Sequence, residues 1–291
     1  MTSSTKTAGA ALTVSDFEKF RDYFYKRTGI QFTESKRYFV DKRIETCIRQ
    51  AGYSGFASWF AALRLNDRSG LLQELINQLT VNETYFLRED YQFESLIRTV
   101  LPDVLAARGG VGRLNGPVKI LSLPCSTGEE PYSIALRLLE EWDQIDHVDV
   151  EIHGADIDSD VLARAELASY NERSVHRVPP AWRKKYFTPV GVRYQLDEGI
   201  RDAVTLHQIN VCDTVAMRGF RDFDVIFCRN VLIYFDELSS RRAAENLYGA
   251  LRPGGYLFLG HSESMSRISP IFTPARLPEG IVYQRPIGGS R

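Results

Sequence analysis

No run in this 291-residue chain approaches the ~20 consecutive apolar residues of a membrane-spanning helix. The start, MTSSTKTAGAALT, lacks the charged n-region and the sustained apolar stretch of a signal peptide and reads as a loose tail. A cytoplasmic protein without direct membrane insertion is the expectation. Cysteine is sparse: Cys47, Cys125, Cys212 and Cys228 are scattered without Cys-x-x-Cys spacing, which argues against zinc and against a disulfide framework. They read as reduced, mostly buried thiols, and no metal is expected. Two phosphate-binding signatures are also missing, since there is neither a Gly-x-Gly-x-x-Gly nor a Lys-Ser/Thr P-loop. Net charge is −1, with the clearest excess of base in the N-terminal third, and no nucleic-acid partner is expected.

What is present supports a real core: 44% of residues are hydrophobic, and the length suits one large domain or two unequal ones. Residues 1–12 form the tail, and 13–80 read helical throughout. VSDFEKFRDYFYKRTGI has a Ser/Asp start, apolar Phe17, Phe20, Phe24 and Tyr25, and a Gly29 stop. SKRYFVDKRIETCIRQAG follows, with Ser35 as cap, Gly52 as stop and an apolar stripe of Val40, Ile44, Cys47 and Ile48. Off that stripe lie Lys36, Arg37, Lys42, Arg43 and Arg49, a basic surface that by itself means only a solvated face. Helices near 54–64 and 69–79 complete the module, and 81–116 read as a linker and interdomain helix.

From residue 117 the pattern changes to alternating strands and helices, and a domain over 117–286 is expected before a short tail, 287–291. KILSL, VEIHGAD, VTLHQI, DVIFCRN and YLFLGH are short β-rich runs, with helical segments near 129–142, 159–169 and 237–251 between several of them. Repeated βα units imply an α/β fold with a parallel sheet and ligands at the strands' C-terminal ends. The segment 171–203 breaks the rhythm and reads as an inserted β-subdomain in which RYQL and AVTL pair.

The residues after the strands are polar: Ser126 to Glu130 after the first, Asp156-Ile157-Asp158 after the second, Asn210 after the third, Arg229-Asn230 after the fourth. SLPCSTGEE taken alone is an ordinary strand-to-helix turn. An acid closing the second strand, however, is placed to accept ribose hydroxyls, and Asp156 fits, while a helix cap suits Asp158 or Ser159 better. Glu129 and Glu130 at a helix start repel phosphate, which disfavours NAD, FAD and ATP. They favour a positively charged nucleoside such as S-adenosylmethionine.

Five ordered motifs, NETYFLRE (82–89), SLPCSTGEEPYS (122–133), GADID (154–158), FDVIFCRNVLIYF (223–235) and LGHSES (259–264), resemble the chemotaxis receptor methyltransferases of the CheR family. The resemblance runs from about residue 13 to 285. It implies a class I, Rossmann-like S-adenosylmethionine-dependent methyltransferase domain with an N-terminal helical domain and a small antiparallel β-subdomain. It also implies transfer of methyl to glutamates on the cytoplasmic methylation helices of chemoreceptors, with S-adenosylhomocysteine as product, by a monomer recruited to membrane receptors. A catalytically silent scaffold binding the same cofactor is the alternative.

Carried over by motif, Asn82, Thr84 and Arg88 close over the cofactor, although alone they read as a helix cap and a surface ion pair. Glu129 or Glu130 engages its charged methionine end, and Asp156 its ribose. Asn210 and Val211 frame the adenine, and Arg229 and Asn230 line the pocket floor. Tyr234 faces the methyl group and, with Arg88, is a candidate for orienting the substrate carboxylate; its plain alternative is a core aromatic. His261, Ser262 and Glu263 lack the nucleophile-elbow pattern and read as a supporting loop. The basic face of Lys36, Arg37, Lys42, Arg43 and Arg49 becomes a docking surface for a glutamate-rich helix. Some family members capture a receptor C-terminal peptide through a glycine-containing loop of the β-subdomain. Here YFTPVGVRYQLDEG offers only Gly191 in a shortened turn, so independence of that tether is expected.

Overall fold

The computed structural model describes residues 12–65 and 70–288. The expected tails at 1–11 and 289–291, and the first residue of the helix expected near 69, lie outside the described residues. The chain divides into two compact units, Met1–Val81 and Asn82–Arg291. Of residues 81–116, expected as a linker and interdomain helix, all but Val81 fall inside the second.

Among its described residues the first unit has four α-helices, α1 (Val14–Thr28), α2 (Arg37–Gln50), α3 (Phe56–Leu65) and α4 (Leu71–Leu79). Thr13 caps α1 through its hydroxyl, and Gly29 ends it at φ 81°, a left-handed conformation that glycine adopts without cost. Phe17, Phe20 and Phe24 are fully buried with Val40, Ile44, Trp59 and Leu75. Ser35 does not cap α2. A 3-10 turn, Glu34–Lys36, leads directly into that helix, and the Ser35 hydroxyl bonds that of Thr33 at 2.8 Å.

The second unit begins with α5 (Tyr91–Ser95), a π turn over Leu96–Val100 and α6 (Leu101–Ala107). Its sheet and helices then alternate: β1 (Val118–Ser122), α7 (Glu129–Glu141), β2 (Val150–Asp156), α8 (Ser159–Leu167), β3 (Ser169–Tyr170), α9 (Glu172–Val175), α10 (Pro180–Tyr186), β4 (Phe187–Val190), β5 (Arg193–Leu196), α11 (Glu198–Asp202), β6 (Val204–Gln208), α12 (Thr214–Met217), β7 (Phe223–Cys228), α13 (Glu237–Ala250), β8 (Leu251–Leu259), α14 (Met265–Ile268), β9 (Thr273–Leu277) and β10 (Gly280–Gln284). The main sheet has the order β6-β2-β1-β7-β8-β10-β9. Its first five strands run parallel, and the β9–β10 hairpin closes it antiparallel. The parallel sheet expected from the βα rhythm is present in those five strands, and the closing hairpin makes the whole sheet mixed. This is a class I methyltransferase fold.

β1 and β7 are buried at nearly every position, as strands covered by helices on both faces must be. Chain order reverses between β1 and β7, so a crevice opens at the C-terminal ends of the central strands. The small sheet pairs β5 with β4 and β3. RYQL is its central strand, but AVTL belongs to β6 and pairs with β2 in the main sheet, because its alternation serves the large core. No helix among the described residues is long and apolar enough to cross a membrane.

Candidate functional site

Four strand ends bring the expected polar residues to one edge of the sheet. Asp156 closes β2 and is 3% exposed. Its Oδ2 accepts the Ser126 amide at 2.8 Å and its Oδ1 the Asp158 amide at 3.0 Å, tying the turn after β1 to the turn after β2. Burial raises its pKa to about 6 against the lowering effect of those amides. The Ile157 amide lowers it as well. Asp158, not Asp156, is the cap of α8, accepting the Asp160 and Val161 amides. Its other oxygen accepts the Asn82 side-chain amide at 2.8 Å, so Asn82 is anchored to this same strand end. Gly154 makes the close approach possible: a Cβ there would meet Leu206 at 2.8 Å and crowd Cys125 and Pro131.

The two adjacent glutamates point to different neighbours. Glu129 is 2% exposed, accepts the Thr127 hydroxyl at 2.5 Å and is raised by burial, with hydrogen bonds from Thr127 and Ser174 opposing. Glu130 accepts the Ser122 hydroxyl at 2.8 Å and pairs with Arg229 at 2.9 Å; burial raises its carboxyl, and Arg229 opposes. Arg229 itself is 5% exposed and is held on three sides: by Glu130, by Glu89 at 3.1 Å and by the Arg88 carbonyl at 2.7 Å. Expected at the pocket floor, it is the tie between the segment 82–89, the β1 loop and the end of β7. Burial alone would raise Glu89, but Arg229 and His261 together bring it below the ordinary carboxylate range.

Burial lifts the Tyr234 hydroxyl above its ordinary pKa, while the Arg88 charge opposes and Glu263 adds to the rise. Arg88 donates to the Glu83 carbonyl at 2.8 Å. Thr84 is half-buried. Asn210 folds its side chain back onto the Cys212 amide at 2.9 Å, and the Val211 carbonyl accepts from Asn246 at 2.7 Å. The five basic residues lie in the first unit. Lys36, Lys42, Arg43 and Arg49 are exposed. Arg37 is not free: it donates to the Leu12 carbonyl at 2.7 Å and pairs with Asp41 at 3.7 Å.

Glu263 plays a part that local sequence reasoning assigned only to a loop. Its carboxylate accepts three backbone amides, Asn230 at 2.7 Å, Leu232 at 2.8 Å and Gly260 at 2.9 Å. This nest holds Asn230 at φ 61° and sets the turn that leads to Tyr234. A Cβ on Gly260 would meet the Asn230 amide nitrogen at 2.6 Å. Glu89 was missed as well, because only the fold brings it to Arg229.

The donor set is carboxylate-rich. Glu129, Glu130, Asp156 and Asp158 lie at the strand ends, and the cation beside Glu130, Arg229, is already paired. A phosphate would find repulsion there; a sulfonium and an ammonium find complementary charge.

Comparison with known proteins agrees with that chemistry. Residues 82–281 match the family model described as the CheR methyltransferase, SAM binding domain, and residues 15–80 match the CheR methyltransferase, all-alpha domain. A protein of Vibrio cholerae serotype O1 named chemotaxis protein methyltransferase 2 is 47% identical over 96% of this chain and 95% of its own length. Chemotaxis protein methyltransferase 1 of Pseudomonas aeruginosa is 32% identical over 93% and 97%. Since both family models follow the division into two units, and the acidic strand ends suit the cofactor, the chain belongs to the CheR family of methyltransferases that use S-adenosylmethionine.

Proposed function

We propose that this protein methylates glutamate side chains on the cytoplasmic helices of chemoreceptors, forming glutamyl methyl esters. The observation that carries the reading is the gathering of Glu130, Asp156 and Asp158 at the strand ends, within a chain whose relatives are named chemotaxis methyltransferases. Asp156 would accept the ribose hydroxyls, and Glu130 would face the ammonium end. Asn82, Thr84 and Arg88 would cover the cofactor, with Asn210 and Val211 at the adenine and Asn230 beneath. Glu129, spent on Thr127, acts by holding the loop. When bound, S-adenosylmethionine supplies an electrophilic methyl group on a sulfonium.

The rest of the chemistry needs little from the chain. A glutamate is ionised near neutral pH and is its own nucleophile, so no general base is required. Tyr234, kept protonated, donates to one carboxylate oxygen and leaves the other to attack. Arg88 orients the same group, but a tight ion pair would stabilise the ground state more than a transition state in which the carboxylate loses its charge. Arg88 therefore acts mainly in positioning. Exposed Lys36, Lys42, Arg43 and Arg49 complement a glutamate-rich helix in sign.

The β4–β5 hairpin turns through Gly191 at φ 60° and Val192, and the pair Val190 and Arg193 closes it. So short a turn supports a receptor interaction without a C-terminal peptide tether. The test is incubation with a panel of receptor cytoplasmic fragments and mass-spectrometric location of the added methyl. Glutamate as acceptor supports the proposal; methyl on any other side chain, or on none, overturns it.

A further inference from the structure

Beside Arg88 lies a cleft of about 440 Å³ lined by Glu83, Tyr85, Arg88, Arg173 and His176. One wall is the segment after Asn82, and the other is the start of the β-subdomain. The two walls are fixed to each other, because the Phe86 amide donates to the Ser174 carbonyl at 2.9 Å and the Phe86 ring packs edge-on against Tyr170 and Phe187. The cleft is thus a built feature and not a gap between loose loops. Its lining holds three basic side chains and one acid. Arg177 adds a third guanidinium nearby, 5.8 Å from the Tyr85 ring centre.

Glu83, the one acid, occupies an informative position. Its carboxylate pairs with Arg173 at 2.5 Å, yet the two side chains are 69% and 78% exposed. An ion pair so open to water contributes little to stability, so an incoming carboxylate can take the place of Glu83 at small cost. His176 donates from Nδ1 to the Arg173 carbonyl at 2.7 Å, which leaves Nε2 as its free ring nitrogen. The ring of Tyr85 stands 5.2 Å from that of His176 and gives the cleft an apolar side suited to an aliphatic stem.

We infer that this cleft is a subsite for a second acidic side chain of the substrate helix, a neighbour of the methylated glutamate, with Arg173 as its principal partner and Glu83 as the internal carboxylate it displaces. Arg88 lines the cleft and is also the residue proposed to orient the reacting carboxylate, so it links the two positions in the proposed reaction. The site therefore selects which glutamate in an acidic stretch is presented for reaction. This inference rests on the proposed glutamate methylation.

The test uses the full chain and alanine-based helical peptides. Each carries an acceptor glutamate and a second glutamate one, three or four residues to either side; counterparts carry glutamine at the second position. Peptide binding is measured by calorimetry and methylation by KM and kcat. For at least one spacing, Arg173→Gln is expected to raise KM at least fivefold with kcat little changed, and to leave the glutamine counterpart unaffected. Glu83→Gln is expected to lower KM for the same peptide. S-adenosylhomocysteine affinity should be unchanged in both variants, which excludes a folding defect. Equal effects of Arg173→Gln on both peptides, or none on either, would overturn the subsite. If the wild type binds the acidic peptide in an Arg173-dependent way without methylating it, the subsite stands and the substrate assignment falls. If it neither binds nor discriminates, the subsite falls whatever the enzyme methylates.

Discussion

Replacing Glu263 by alanine should loosen the turn that carries Asn230 and Tyr234 without disturbing the rest of the sheet. Three amides, those of Asn230, Leu232 and Gly260, donate to its carboxylate at 2.7, 2.8 and 2.9 Å. Hydrogen bonds to a charged group contribute about 1.5–3 kcal/mol each, but they are not additive, and water reaches a half-buried site. A local loss of about 2–4 kcal/mol is the resulting expectation. Release of Asn230 from a φ of 61°, uncommon for a residue with a side chain, offsets part of that loss. The assay is amide hydrogen exchange. A loss of that size corresponds to exchange of the three amides faster by roughly two orders of magnitude, while amides of β1 and β2 keep their protection. Glu263→Gln keeps one acceptor oxygen and the side-chain volume, and should lose about half as much. Turnover should fall with protection, because Tyr234 follows the turn. Unchanged exchange at all three amides in Glu263→Ala would refute the account of this loop.

Three further outcomes follow from the same geometry. Asp156, with a pKa near 6 in the free protein, should be held ionised by ribose hydroxyls, so binding releases a proton. S-adenosylhomocysteine affinity should then weaken roughly tenfold per pH unit below 6 and level off above it; Asp156→Ala should cost about 1–3 kcal/mol at pH 7.5, and a flat calorimetric pH profile would remove Asp156 from the site. Lys42→Glu combined with Arg43→Glu should slow receptor methylation in a salt-dependent way and leave S-adenosylhomocysteine binding alone, and normal methylation by the double variant would withdraw the docking role. Deleting the C-terminal residues of a receptor substrate should change its methylation by less than about threefold, since no effective-concentration gain is lost; saturable micromolar binding of that peptide would contradict the reading of the Gly191 turn.

The elements legible in the sequence were those whose own pattern decides them. KILSL, VEIHGAD and DVIFCRN are strands because their apolar runs end in turn residues, and the helices after them start where an acid or a capping side chain stands. What escaped depends on partners distant in sequence. TPARL and GIVYQ give no strong alternation, and they become β9 and β10 only by pairing with each other and with β8. AVTL was assigned to the inserted sheet because it follows RYQL closely, whereas the larger burial beside β2 claims it. At the site, Asp156, Glu130 and Asn230 stood out by their place after strands. The three-amide nest of Glu263 and the Glu89–Arg229 pair did not, since the residues joined are 33 or fewer apart in one case and over a hundred in the other. Arg37 was grouped with a basic face by spacing, and its bond to the Leu12 carbonyl shows that position on a helix does not by itself free a side chain.

The strand-end site, with Arg88 and Tyr234, is proposed to serve methyl transfer from S-adenosylmethionine to a carboxylate. The most direct measurement is incubation of the protein with methyl-labelled S-adenosylmethionine and receptor cytoplasmic fragments, followed by mild alkali. The account predicts label in the receptor that is released as volatile methanol, and a turnover reduced at least tenfold in Tyr234→Phe with S-adenosylhomocysteine affinity retained. Label that resists alkali, or receptor that stays unlabelled while the protein binds the cofactor, would contradict it.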